Sequence, residues 1–172
     1  MTEPDSRHGP ALDEVASGTR RHYGDRLVAL VVFGSRGRGS ARADSDLDLL
    51  VVADGLPHGR VARVTEFAAL ETALAAQGTL GTPAVSCSPV FKSPAEAAAG
   101  SPLFLDMVED ARILFDRDGF FAAVLERLRA RLAALGARRV WRGNAWFWDL
   151  KPDYVPGEVF ELCPTSRSLR AT

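Results

Sequence analysis

Leu12, Val15, Thr19 and Tyr23 recur at helical spacing, so residues 11–23 are predicted to form a short amphipathic helix that Gly24 ends. A continuous apolar, β-branched run follows over residues 27–33 and stops at Gly34, the pattern of a strand covered on both faces. Residues 34–45 turn to Gly, Ser, Arg and Asp before residues 47–53 become apolar again, which reads as strand, glycine-rich loop, strand. Good helix formers fill residues 61–76, and Gly78 and Gly81 close that helix. Residues 84–91 predict a third, less regular strand, which Pro83 and Pro89 assign to an edge or a bulge. A short helix is expected over 103–111 and a short extended piece over 113–115, with Asp118 placed to cap the next helix. Phe121, Val124, Leu125, Leu128, Leu132 and Leu135 make the cleanest 3.6-residue stripe in the chain, so residues 119–135 form a helix. Beyond Gly136 all three tryptophans fall within 140–150 around Gly143 and Asn144, the pattern of a β-hairpin with Trp146 and Trp148 on one strand face. A last strand-like piece is expected over 158–162.

Composition narrows the class. A length of 172 residues suits one domain, expected over 11–163, with loose ends at 1–10 and 164–172. Lys and Arg total 21 against 22 Asp and Glu, a balance without the positive excess that coating a DNA duplex requires. The apolar run over 27–33 is far short of the roughly 20 residues of a membrane span. Residues 1–10 carry Glu3, Asp5 and Arg7 and no apolar signal core, so a cytoplasmic location is expected. Cys87 and Cys163 have no partner at metal-binding spacing, so neither zinc nor a disulfide framework is expected. His8, His22 and His58 likewise carry no chemistry.

The chemistry concentrates between the first two strands. Residues i and i+2 of a strand share a face, so Asp46 and Asp48 point one way while Leu47 and Leu49 point into the core. Two like charges about 4 Å apart repel by about 4 kcal/mol at an effective dielectric of 20, so such a pair calls for a cation. All-oxygen ligands favour Mg²⁺ or Mn²⁺. Gly34 and Ser35 end the preceding strand in a tight turn, where backbone amides and a hydroxyl can approach an anion such as phosphate. Arg36, Arg38 and Arg42 could neutralise phosphate charge, Arg36 being nearest the cradle and the other two reading more often as solvated. Trp141, Trp146, Trp148 and Tyr154 either stack a ring or cover a core edge, the second being favoured. Lys151, Arg127, Arg129 and Arg131 read as solvated surface.

Gly34-Ser35 followed by Asp46-Leu47-Asp48 resembles the signature of the nucleotidyltransferase domain of the DNA polymerase beta superfamily, most closely its minimal bacterial and archaeal members. The run 144–162, with Trp148-Asp149-Leu150-Lys151-Pro152-Asp153 and Gly157-Glu158, is similar to the C-terminal part of an uncharacterised branch of those proteins. The resemblance implies an α/β (α+β) fold with a mixed sheet flanked by helices, here followed by a C-terminal helix and hairpin from about residue 119. It implies that Gly34, Ser35 and Arg36 bind the nucleotide and that Asp46 and Asp48 are both catalytic and metal-binding. It also implies transfer of NMP from an NTP, ATP being the expected donor, onto a hydroxyl with release of pyrophosphate. Active members usually carry a third carboxylate on the next strand. Residues 79–92 contain no Asp or Glu, and Ser86 and Ser88 stand where it would be expected, leaving Asp149, Asp153 and Glu158 as distant candidates. The acceptor is expected to be a protein or small molecule ahead of RNA. The alternative is a nucleotide-binding, antitoxin-like protein acting through a helical partner.

Overall fold

The computed structural model describes residues 10–42, 45–80, 85–143 and 145–163. Residues 1–9 and 164–172 of the expected loose ends, and Gly81, Pro83 and Asn144, lie outside these residues, while Pro10 begins α1. In chain order the elements are α1 (Pro10–Tyr23), β1 (Leu27–Val32), the single turn α2 (Gly34–Gly37), β2 (Leu47–Ala53), α3 (Arg60–Ala76) and β3 (Cys87–Lys92). They continue with α4 (Pro94–Ala98), α5 (Phe104–Asp110), β4 (Arg112–Asp116), α6 (Phe120–Ala134), β5 (Arg138–Arg142) and β6 (Ala145–Asp149).

Four strands form a mixed sheet in the order β3-β2-β1-β4, in which β2 and β3 are parallel and the other pairs antiparallel. The two apolar runs form its centre because every residue of β1, and every residue of β2 except Asp48, is buried. Helices α1 and α3 cover one face, where Val15, Phe67, Leu70 and Leu74 meet Leu30, Leu49 and Val51. Helices α5 and α6 cover the other, where Phe104, Met107, Phe121, Val124 and Leu128 meet Val31, Leu50 and Val52. Strand alternation therefore assigns Asp48, between Leu47 and Leu49, to the α5 and α6 side. Pro89 is tolerated because β3 is an edge strand, as its sequence requires. No helix among the described residues is long and apolar enough to cross a membrane.

Three local readings need correction. The helix α4 was not expected; Ser93 Oγ accepts from Glu96 N (3.1 Å) while Glu96 Oε2 accepts from Ser93 N (2.8 Å), a capping box with Pro94 in the first turn. The cap of α6 is Asp116, whose two carboxylate oxygens accept from Phe121 N and Ala122 N at 2.8 Å each. Asp118 instead takes up a left-handed backbone (φ 55°) in the preceding turn. Residues 158–162 form no strand: Glu158 folds back to accept from Val155 N (3.2 Å), and Leu162 and Cys163 pack against the α5 and α6 core. The hairpin is as expected, with Arg139 opposite Trp148 and Trp141 opposite Trp146.

Candidate active site

The antiparallel pairing of Val32 with Leu49 brings the turn after β1 beside the start of β2. Phe33 N donates to Asp48 O (3.1 Å), which fixes the turn to the strand. Gly34 has φ +66°, and a Cβ there would overlap Asp48 Oδ2 and stand 3.0 Å from Asp48 Cγ. Glycine is thus required twice, for its backbone and for the room that the Asp48 carboxylate occupies. The turn then closes into α2, with Gly37 N donating to Phe33 O (3.2 Å), Arg38 N to Gly34 O (3.1 Å) and Ser40 N to Ser35 O (2.9 Å). Glycine is required at 37 by close contact alone, since a Cβ there would meet Asp110 O at 2.6 Å and Val32 O at 3.1 Å.

The two carboxylates differ in setting. Asp46 is exposed at the mouth of β2, whereas Asp48 is half-buried. Burial pushes the Asp48 carboxyl above the ordinary aspartate range, the charge of Asp46 adds to the rise, and the nearby Arg38 opposes it. The parallel register pairs Asp48 with Ser88 and Leu47 with Cys87, so the place beside Asp48 on the neighbouring strand holds a hydroxyl. Cys87 lies on the other side, where Glu71 Oε1 accepts from its backbone N (2.8 Å). Burial and the Glu71 charge push that thiol up to about 12. Among the described residues no three His, Cys, Asp or Glu side chains come together as a ready-made metal cage.

The arginines of the loop take different parts. Arg36 donates from Nε (3.0 Å) and Nη2 (2.7 Å) to Ser45 O, tying the end of the loop to its beginning. Arg38 lays its guanidinium over the Trp146 ring, 4.6 Å from the centroid. That ring is fixed in turn: Trp146 Nε1 donates to Asp106 Oδ1 (3.2 Å), and Trp141 packs against it at 5.2 Å between centroids. Arg139 also lies over Trp146 (4.9 Å) and is ion-paired with Asp110 (2.7 Å). The hairpin is thereby docked on α5 and α2, beside the loop that carries the glycine turn.

The structure brings Gly34, Ser35, Asp46 and Asp48 to one end of the sheet, as the strand–turn–strand reading requires. It does not bring Asp149, Asp153 or Glu158 there as free groups: Asp149 pairs with Arg138 (3.3 Å), and Asp153 and Glu158 both pair with Lys151 (3.0 and 3.3 Å). Lys151 is therefore a staple of the loop after β6, with its side chain 15% exposed, and not a solvated lysine. Arg129 and Arg131 likewise reach backbone carbonyls, of Val108 and Glu161 (2.8 Å each). Sequence reasoning missed Asp106 and Asp110 as partners of the hairpin. Their positions on the polar side of a short helix gave no local signal.

Residues 12–77 match the model of the nucleotidyltransferase domain family. The protein named "Putative protein adenylyltransferase MJ1305" of Methanocaldococcus jannaschii is 33% identical over 122 residues, covering 69% of this chain and 78% of that protein. Two solved structures are weakly similar. One, of a toxin–antitoxin with AMP-PNP, has a TM-score of 0.45 and 16% identity over 72% of this chain and 92% of that chain. The other, of the tri-AMPylated Shewanella oneidensis HEPN toxin in complex with MNT antitoxin, has a TM-score of 0.41 and 15% identity over 73% and 90%. Scores this low carry no argument about the present chain. The family match runs from α1 to α3 and contains the glycine turn and both aspartates of β2. With that match and the Methanocaldococcus jannaschii relative, the chain belongs to the nucleotidyltransferase family of enzymes.

Proposed function

We propose that the chain moves the nucleoside monophosphate unit of an NTP, with ATP as donor, onto a hydroxyl of a protein, releasing pyrophosphate. The observation that supports this most is Gly34: the missing Cβ lets the Asp48 carboxylate lie directly against the turn, so an anion cradle and a carboxylate pair form one site. The protein acceptor is taken from the named activity of the Methanocaldococcus jannaschii relative.

The residues divide the work. Gly34 and Ser35 offer backbone N–H groups and a hydroxyl to the phosphate oxygens. Arg36 keeps the loop closed through Ser45 O. Asp46 and Asp48 give an all-oxygen donor pair, in which burial and then the charge of Asp46 raise the Asp48 carboxyl, a set that fits Mg²⁺ or Mn²⁺. When bound, such an ion supplies neutralisation of phosphate charge and polarises the reacting phosphoryl group. In the transfer, the acceptor hydroxyl gives up its proton to solvent and its oxygen bonds to the α-phosphorus. The bond from that phosphorus to the oxygen that links it to the β-phosphorus breaks, and pyrophosphate departs with that oxygen and the electron pair.

The test is titration calorimetry of ATP, with and without Mg²⁺, into wild type and Asp48→Asn, followed by label transfer from α- and γ-³²P-ATP. Metal-dependent binding lost in the variant, with label passing from the α position alone, is expected. Equal ATP affinity in both proteins, or transfer of the γ label, overturns the proposal.

A further inference from the structure

Away from the glycine turn, α4, α5, α6 and the segment that ends at Cys163 surround a cavity of about 320 Å³. Phe104, Val124, Leu128 and Leu162 give it an apolar wall, which the Cys163 thiol completes. Its lining draws nothing from β1, α2 or β2, so it is separate from the carboxylate pair. The wall is fixed on two sides. Gly100 has φ +84°, and a Cβ there would overlap Cys163 Sγ, so the segment lies directly against the turn that follows α4. Arg131 Nε donates to Glu161 O (2.8 Å), which ties the same segment to α6. Protein interiors close-pack, and an apolar void of this kind leaves surface that water covers poorly. The volume falls at the small end of the roughly 300–1,000 Å³ in which organic ligands are held.

The charge at the mouth narrows the class of ligand. Arg127 is exposed and lines the cavity, and among the described residues it makes no hydrogen bond or ion pair. Arg131 adds a second cation, and the lining holds no acid. An apolar interior with guanidinium groups at its rim matches a molecule with an apolar body and one anionic end. Residues 164–172 hold Arg167 and Arg170 and no acid, so their charge does not suit this rim. We infer that the cavity is a binding site for a medium-chain fatty acid, with the chain against Phe104, Val124 and Leu128 and the carboxylate on Arg127. The site is independent of the nucleotidyl-transfer reading, and its test does not use that reaction.

The experiment titrates octanoate, hexanoate, octanol and octylamine into the full-length protein by calorimetry. In parallel, mass spectrometry follows the reaction of Cys163 with iodoacetamide at alkaline pH, since burial raises that thiol. Octanoate is expected to bind at one site per chain, and hexanoate about 10- to 20-fold more weakly because two methylenes are lost. Octanol binds about 3- to 10-fold more weakly than octanoate, and octylamine more weakly still. At ten times its Kd octanoate slows alkylation of Cys163 about tenfold, because the thiol lines the cavity. Arg127→Gln weakens octanoate about 3- to 10-fold and leaves octanol within about twofold. Ala130→Trp, at an exposed position of the wall, fills the cavity and abolishes binding; Ala98→Trp does so from α4 if the first variant does not fold. Octanoate that binds Arg127→Gln as it binds wild type, that leaves Cys163 alkylation unchanged, or that does not bind at millimolar concentration overturns the assignment. An affinity raised severalfold by Leu169→Ser shows that residues 164–172 fill the cavity and overturns it as well.

Discussion

Replacing Gly34 by alanine tests the most exacting contact in the site. The backbone there lies at φ +66°, and an L side chain in the left-handed region costs about 1–2 kcal/mol. Alanine recovers about 0.4–1 kcal/mol by restricting the unfolded chain. The new Cβ also overlaps Asp48 Oδ2, so the carboxylate must leave its rotamer, at about 0.5–1.5 kcal/mol. The net loss is about 1–2 kcal/mol, which for a domain of this size lowers the melting temperature by about 2–8 °C. Activity falls much further than stability, because a displacement of about 1 Å at a reacting group costs on the order of 10²-fold. Circular dichroism melts and label transfer from α-³²P-ATP measure the two effects. Repeating the substitution in an Asp48→Ala background separates the causes: the overlap disappears and only the backbone cost remains, a coupling of about 0.5–1.5 kcal/mol. Wild-type melting and activity in Gly34→Ala, or an unchanged cost in the Asp48→Ala background, refutes the reasoning.

Gly37→Ala meets backbone oxygens of Asp110 and Val32 that cannot swing aside, so it destabilises by about 1–3 kcal/mol through separation of α2 from α5, read as a lower urea midpoint. Asp48→Asn has a pH signature in metal-free protein. Because the folded carboxyl titrates above its unfolded value, the wild type loses stability as pH rises through the Asp48 range. The variant therefore melts higher than wild type at pH 7, and the difference vanishes below about pH 4; a constant difference across that range contradicts the burial argument. Cys87, with its thiol at about 12, resists iodoacetamide at pH 8 in the folded protein and reacts in urea, which mass spectrometry of the Cys87 peptide checks.

The central strands were legible because each is buried on both faces, and burial on both faces leaves Asp48 as the one polar residue in the pattern. Residues 47–53 match β2 as predicted, and 27–33 differ from β1 only at Phe33, which the turn claims. Helix α6 was equally plain, since its inner stripe meets a single continuous apolar surface. Helix α3 hid its core face: Val61 and Val64 are 81% and 40% exposed, and Phe67, Leu70 and Leu74 do the packing. The signal for α4 was present in Ser93-Pro94-Ala95-Glu96 and lay in the cap, not in any apolar period. Residues 158–162 read as a strand because Val159, Phe160 and Leu162 alternate with acids. They join neither sheet, and Val159 is 92% exposed while Lys151 draws Glu158 into a folded loop.

The site divides along the same line. Gly34, Ser35, Asp46 and Asp48 fall within one strand–turn–strand unit, so spacing and the period of two suffice to bring them together. The third acid raises a different kind of question, because its answer depends on register between β2 and β3. Once Leu47 is opposite Cys87, Asp48 must be opposite Ser88, and no side chain on that strand can add a carboxylate to the pair. The acids that sequence offered from downstream are bound into ion pairs with Arg138 and Lys151 and serve the hairpin and its loop. The downstream segment instead brings an aromatic surface to the site. Trp146, locked by Asp106 and flanked by the Arg139–Asp110 pair, lies under the Arg38 guanidinium from outside the loop to which Arg38 belongs. Residues that hold substrate can be found by motif because their chemistry restricts their identity. The residues that pack around them are free to come from any element nearby, and only the fold reveals which one does.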